Sequence, residues 1–290
     1  MKYLVAIGGN ALVEKGALGS VSAEIVRLAS EGNAVLVTHG NGPQVGMLEL
    51  AESRPLWVLT AQTQAEIGVQ IVESLEEAGA RRGSVPIALT RVMVDRRDPE
   101  FDRPTKPIGR WYSTAEAKRM EARETILRRL ERGYRHVVSS PVPIGIVEAK
   151  EITSLFTTHR IVIAGGGGGI PIASDGKSGK IDHPNAVIDK DRTSGMLADL
   201  VGADRLVILT NVDGAYTGFG GRKRKRIGSV SSAEMVRHAE RGEFGEGSMK
   251  PKVEACIGFV RGGKNRTAVI GDLEHARRTF AMHGCTVIRG

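Results

Sequence analysis

The sequence predicts an α/β protein in which a mainly parallel sheet is covered by helices on both faces. Two observations carry that expectation. Short β-branched apolar runs recur along the 290 residues, and each gives way to a glycine-rich or polar turn and then to an amphipathic stretch. Strands that alternate with helices in this way build parallel sheets with both faces buried. A third observation, a charged and proline-punctuated stretch at about 95–148, predicts an inserted subdomain that projects from the sheet.

The strands are expected at 4–7, 34–37, 86–94, 161–164, 206–209, 268–270 and 286–288. Between them, Ile25, Leu28 and Ala29 share one helical face, as do Ile67, Ile71 and Leu75, then Met196, Leu197 and Leu200, and finally Val253, Cys256, Ile257 and Val260. The insertion opens on Asp95-Arg96-Arg97-Asp98-Pro99 and passes through Arg103-Pro104-Thr105-Lys106-Pro107. A charged helix is expected at about 114–132, with the return through Pro141 and Pro143. No fixed-period repeat or low-complexity segment is visible over 1–290, a length that suits one large domain or two modest ones.

Composition narrows the function classes. With 41% hydrophobic residues the chain can bury a core without disulfide staples. Cys256 and Cys285 lack CxxC spacing and read as small buried hydrophobes. No apolar run approaches the ~20 residues that span a bilayer, so a cytoplasmic protein with no membrane partner is expected. The net charge of +8 suggests affinity for polyanions, but the only basic run is Arg222 to Arg226. Basic residues spread this thinly, without interleaved aromatics, read as solvated surface, and a nucleic-acid partner is not expected.

The chemistry concentrates where strands end in glycine. Gly8-Gly9-Asn10 follows the first strand, Gly40-Asn41-Gly42-Pro43 follows the second after His39, and Gly165 to Gly169 follows the strand at 161–164. Ligands of open α/β sheets bind outside the carboxyl ends of strands, and glycine there lets backbone N–H groups approach an anion. Each cluster alone could be a turn that needs positive φ, a requirement expected at Gly42 in particular. Three at one sheet edge point to an oxyanion or phosphate cradle. None has the GxGxxG or Walker spacing.

Lys190 and Lys252 each stand at the expected start of a helix, where backbone donors also favour anions. Asp191, next to Lys190, could hold an ammonium group in position. His39 has no Ser or Cys nucleophile nearby and reads as a structural or orienting imidazole. The seven histidines include no HExxH pair, so neither a catalytic zinc nor any other metal held by the protein is expected.

These residues resemble the carbamate kinases, a branch of the amino-acid kinase family. The likeness runs in order through Gly8-Gly9-Asn10-Ala11-Leu12, His39-Gly40-Asn41-Gly42-Pro43-Gln44-Val45-Gly46, Pro104-Thr105-Lys106-Pro107-Ile108-Gly109, Gly166 to Pro171, Val187 to Asp191, Leu209 to Asp213 and Gly247 to Lys252. The second and third of these motifs are the specific ones. The resemblance implies a three-layer α/β/α sandwich with an open, mostly parallel eight-stranded sheet, a protruding lid subdomain at about 95–148, and a homodimer. It implies reversible phosphoryl transfer between ADP and carbamoyl phosphate, giving ATP and carbamate, with Mg2+ carried on the nucleotide.

Residue by residue, the resemblance places carbamate and the moving phosphoryl group between Gly8, Gly9 and Asn10 on one side and Gly40, Asn41 and Gly42 on the other. Gly166 and Gly167 would cradle phosphate. Lys190 and Lys252 would clamp the nucleotide phosphates under the control of Asp191, with Lys106 reaching in from the subdomain. The nucleotide would lie along Thr210, Asn211, Val212, Asp213, Tyr216, Ser248 and Met249. Residues 1–164 would serve mainly the carbamate side and 165–290 mainly the nucleotide side.

Two departures stand out: the stretch from Asn10 to His39 is shorter than in bacterial carbamate kinases, and the first strand lacks the lysine found before the glycine pair in acetylglutamate kinases. The alternatives are a kinase for another small acid or phosphate on the same fold, and a non-catalytic nucleotide sensor or nucleic-acid-binding regulator.

Overall fold

The structure, a computed structural model, describes residues 1–9, 16–52, 54–121, 126–130, 133–174, 180–218, 224–245 and 249–290. Its first half contains β1 (Lys2–Ile7), α1 (Ala17–Ser30), β2 (Ala34–His39), α2 (Gly42–Ala51), α3 (Leu56–Glu77), β3 (Ile87–Ala88), β4 (Arg91–Val94), β5 (Lys106–Tyr112), α4 (Thr114–Glu121), β6 (Leu127–Leu130), β7 (Gly133–Val138) and β8 (Pro143–Ile146). There follow α5 (Ala149–Thr158), β9 (Ile161–Ala164), β10 (Ile170–Ser174), β11 (Ile181–Asp182), α6 (Lys190–Leu200), β12 (Arg205–Thr210), β13 (Tyr216–Thr217), β14 (Lys225–Arg226), β15 (Ser229–Ser231), α7 (Ser232–Glu240), α8 (Met249–Arg261), β16 (Thr267–Asp272), α9 (Ala276–Phe280) and β17 (Thr286–Arg289).

Eight strands form one open sheet in the order β15-β17-β16-β12-β1-β2-β9-β3. Only the β16–β17 pair is antiparallel. Alternate residues of β1 point to opposite layers, as the period of a strand requires. Tyr3, Val5 and Ile7 join the core under α1, α3 and α9. Leu4 and Ala6 join the core under α5, α6 and α8. Each large apolar side chain buried there contributes about 2 kcal/mol against exposure, which fixes the three-layer sandwich.

The chain moves outward from β1 in both directions, to β2 and β9 on one side and to β12 and β16 on the other. Such a switch in winding opens a crevice at the carboxyl ends of the two central strands. The glycine turns after β1, β2 and β9 therefore meet at one edge.

Two expected elements are corrected. The run at 86–94 is two strands, because β3 pairs with β9 in the main sheet while β4 pairs with β10 and β8 in a smaller one. The chain leaves the main sheet at Thr90, whose backbone N–H and C=O bond the Gln64 side chain of α3 at 3.0 and 3.1 Å. The helix expected at 114–132 ends at Glu121. It begins with a capping box in which the Ser113 N–H donates to Glu116 at 2.9 Å and the Glu116 N–H donates to the Ser113 hydroxyl at 3.3 Å. Residues 127–130 pair instead as β6 with β7, which also pairs with β5. Tertiary pairing here overrides a helical charge pattern. The result is a three-stranded sheet that stands apart from the main one.

Candidate active site

The floor of the site is backbone. The Gly8 N–H donates to the Leu209 carbonyl at 3.1 Å and the Gly40 N–H donates to the Ile7 carbonyl at 2.9 Å, so the turns after β1 and β2 are continuations of the ladders. They then touch: a Cβ built on Gly40 would lie 2.8 Å from the Gly9 nitrogen, which excludes any side chain there. Beyond them α2 begins, with Asn41 as its N-cap and its amino end at the cleft. The Asn41 amide donates to the Thr63 hydroxyl at 2.9 Å, and its side chain rests on Gly167 in the turn after β9.

Gly42 itself has neither positive φ nor a crowded Cβ. The expected φ requirement is therefore corrected; Gly42 keeps the mouth of the α2 amino end open.

A charged network closes the floor. Asp189 caps α6, accepting from the Asp191 and Arg192 N–H groups at 2.9 and 3.2 Å. Its other oxygen accepts from the Lys106 ammonium, which reaches across from β5. Asp191 is bridged by two cations, with Lys190 Nζ at 2.6 Å and Lys252 Nζ at 2.8 Å. Burial alone would raise the Asp191 pKa, but the two lysines outweigh it and hold the carboxyl well below the usual carboxylate range. Burial lowers the Lys190 pKa against the pull of Asp191, whereas for Lys252 the pull of Asp191 prevails over burial. Three ammonium groups share two carboxylates, so the floor is poised for an anion.

These groups line a cleft of about 620 Å³. It brings together Gly8, Gly9, Gly40, Asn41, Gly42 and Gly167 with Lys106, Lys190, Asp191 and Lys252, and also Thr210, Asn211, Val212, Tyr216 and Met249. Gly166 lies off the wall, where a Cβ would run into the His39 ring. Asp213 turns away to accept from the Tyr216 hydroxyl and from Arg226, each at 2.5 Å. Asn10 and Ser248 lie outside the described residues, as do Arg222 and Lys223 of the basic run, while Lys225 and Arg226 form β14.

His39 is buried, and burial together with Lys190 pushes its pKa down to about 4. The neutral imidazole packs beneath the glycine turns, with its Nδ1 3.2 Å from the Gly40 carbonyl, and does not line the cleft. Cys256 sits one turn beyond Lys252 on α8, with its thiol pKa pushed up by burial.

Sequence reasoning passed over Asp189, Arg135 and Trp111, the last two of which reach the cleft from β7 and β5. Asp189 was legible as an N-cap three residues before Arg192. Arg135 is hidden in the sequence because the charge pattern reads as helix up to about residue 132, whereas the strands β6 and β7 that pair there set its direction.

The donor set also bears on a metal. Both oxygens of Asp191 and both of Asp189 are already engaged. Among the described residues, the cluster with metal-ligand spacing is Asp272, Glu274 and His275, and it lies outside this cleft. The cleft thus suits a cation that arrives on phosphate oxygens and keeps its own water.

Fixed N–H dipoles and ammonium groups around an open crevice, with no Ser or Cys among the described residues that line it, define a class of enzyme that holds a phosphoryl group in place while it passes between two bound molecules. Known proteins narrow the class. Residues 1–272 match the amino acid kinase family. A carbamate kinase of Halobacterium salinarum is 42% identical over 99% of this chain and 99% of its own length. A carbamate kinase of Clostridium perfringens is 39% identical over 99% of each. A solved structure of a carbamate kinase from Giardia lamblia bound to citric acid superposes with a TM-score of 0.89 at 32% identity, covering 99% of this chain and 98% of that one. This chain belongs to the amino acid kinase family and, within it, to the carbamate kinases.

Proposed function

We propose that the chain catalyses reversible phosphoryl transfer between ATP and carbamate, forming ATP and carbamate from ADP and carbamoyl phosphate. Carbamate then yields ammonia and carbon dioxide. The observation that carries this reading is the Lys190–Asp191–Lys252 bridge, which presents two fixed ammonium groups to the floor of one cleft. A β-phosphate oxygen of ADP attacks phosphorus, the bond from phosphorus to the carbamate oxygen breaks, and carbamate leaves as an anion. The attacking oxygen is already anionic and the leaving oxygen departs as a resonance-stabilised carbamate anion, so no proton has to move and no general base is needed. What the protein supplies is position and positive potential around the equatorial oxygens.

The carbamate side is assigned to Gly8, Gly9, Gly40, Asn41, Gly42 and the amino end of α2, mostly within residues 1–164. The nucleotide side is assigned to Thr210, Asn211, Val212, Tyr216, Met249 and Lys252, within 165–290. Mg2+, bound by nucleotide oxygens and water, would shield the phosphate charge. The stretch at about 95–148 acts as a lid that brings Lys106 to the site, a role supported by its separate sheet and its contact with Asp189. The proposal extends to a homodimer in the cytoplasm; among the described residues no helix is long and apolar enough to cross a membrane.

A coupled assay for ATP formed from ADP and carbamoyl phosphate with Mg2+ tests the reaction. Turnover is expected with carbamoyl phosphate and not with acetyl phosphate at equal concentration. No ATP from carbamoyl phosphate, or tight nucleic-acid binding at physiological salt without turnover, would overturn it in favour of another acid kinase or a regulator.

A further inference from the structure

Among the described residues, Arg135 is the cation of the cleft that has no counter-charge. It stands on β7, lines the cleft and is partly buried. Its Nε donates to the Ile108 carbonyl at 3.2 Å, which fixes the plane of the guanidinium, and its central carbon lies 5.4 Å from the centroid of the Trp111 ring. Among the described residues neither terminal nitrogen has a protein hydrogen-bond partner, and no carboxylate pairs with the group. The contrast with its neighbours is sharp: Lys106 pairs with Asp189, and Lys190 and Lys252 share Asp191. Burial accordingly pulls the Arg135 pKa below its ordinary value, although the group stays charged.

A partly buried charge without a partner is costly, and it persists at a cleft wall when a ligand supplies the missing charge. The flat fork of a guanidinium, held at Nε and backed by a ring, offers two parallel N–H donors, the geometry that grips a carboxylate or phosphate. Position selects the substrate. Arg135 is tied through Ile108 to β5, which packs on α2, and Ile108 shares a small core with Val45 of that helix. The group therefore belongs to the part of the cleft wall where β5 meets α2, the helix that opens directly after the turn at Gly40 and Asn41.

We infer that Arg135 binds the acceptor-side substrate directly, gripping the oxygens of carbamoyl phosphate or carbamate from the subdomain wall, with Trp111 as its backing. The inference rests on the reaction proposed above. It also makes Trp111 a reporter, since the molecule has only one other tryptophan, Trp57.

The test combines kinetics with fluorescence. In Arg135→Gln the KM for carbamoyl phosphate should rise on the order of 10- to 100-fold, the loss expected for a charge-assisted contact, while the KM for ADP stays within about twofold. In a Trp57→Phe background, carbamoyl phosphate should change the Trp111 emission, and adding Arg135→Gln should remove the response. An unchanged KM for carbamoyl phosphate in a variant whose parent turns over would overturn the inference and leave the reaction standing. So would a rise confined to ADP, which would assign Arg135 to the nucleotide. A parent without turnover would instead count against the reaction itself.

Discussion

Asp191 holds together two ammonium groups that would otherwise repel each other in a buried place. Replacing it by asparagine leaves both cations facing an amide, and breaking a buried network of this kind costs about 3 kcal/mol. Asp191→Asn should therefore lower the urea midpoint and cut turnover by about tenfold or more, because the lysines lose the geometry that aims them. Normal stability and turnover together would show that the bridge is ornamental.

His39 gives a pH signature at the same scale. Its folded pKa is about 4 against an ordinary 6.5, so between those values the unfolded chain takes up a proton that the folded one refuses. Stability is present in full above about pH 6.5 and declines as pH falls through the window, by about 2 kcal/mol at pH 5. Denaturant unfolding at about pH 7.5 and pH 5 should show a larger acid loss in the wild type than in His39→Gln. Equal losses would contradict a buried neutral imidazole. The residue types of the floor were legible because lysine and aspartate beside a glycine turn are unusual company. The partnership of Lys106 with Asp189 was not, since 83 residues separate them in sequence and only the fold brings them together.

At the scale of elements, the question is how the subdomain meets the sheet. A Cβ built on Gly46 of α2 would fall on the Gly109 backbone, so β5 and α2 touch with no side chain between them. That contact, the Lys106–Asp189 pair and the 2.9 Å contact between His136 of β7 and Glu49 of α2 tie the proposed lid to the rest of the molecule. Lys106→Ala should reduce kcat/KM for carbamoyl phosphate about tenfold or more and leave ADP affinity nearly unchanged, because a lid cation acts on closure. Hydrogen exchange in 106–112 should slow when ADP and a carbamoyl phosphate analogue are both bound. Unchanged kcat/KM would leave Lys106 without a part in binding or turnover.

Gly42→Val probes the opposite wall. With open space around its Cβ the variant should fold, yet its side chain should enter the cleft at the α2 amino end and raise the KM for carbamoyl phosphate about tenfold or more. A normal KM would mean that this turn does not meet the anion. The sequence marked the insertion by its prolines and charge, but it could not separate helix from hairpin within it. Leu127 and Leu130, three residues apart, fit a helical face and fall on opposite faces of a strand, so the pattern reads as helix and pairing with β7 overrides it.

Across the whole molecule, the cleft follows from topology more than from any single motif. β1 lies between β2 and β12, the strands wind away from it in both directions, and the glycine turns converge at the crevice this creates. That much could be read from alternating apolar runs and from where glycines fall. The split of 86–94 into two sheets could not, because it depends on Gln64, a side chain from a different layer, capturing the backbone of Thr90.

The central claim is that fixed cations, with no protein nucleophile, drive the transfer. The most direct measurement is kcat for Lys190→Ala and Lys252→Ala in the formation of ATP from ADP and carbamoyl phosphate, with folding checked by circular dichroism. Each should fall on the order of 10²-fold or more with the fold intact. Both variants within a few-fold of wild type would contradict the account.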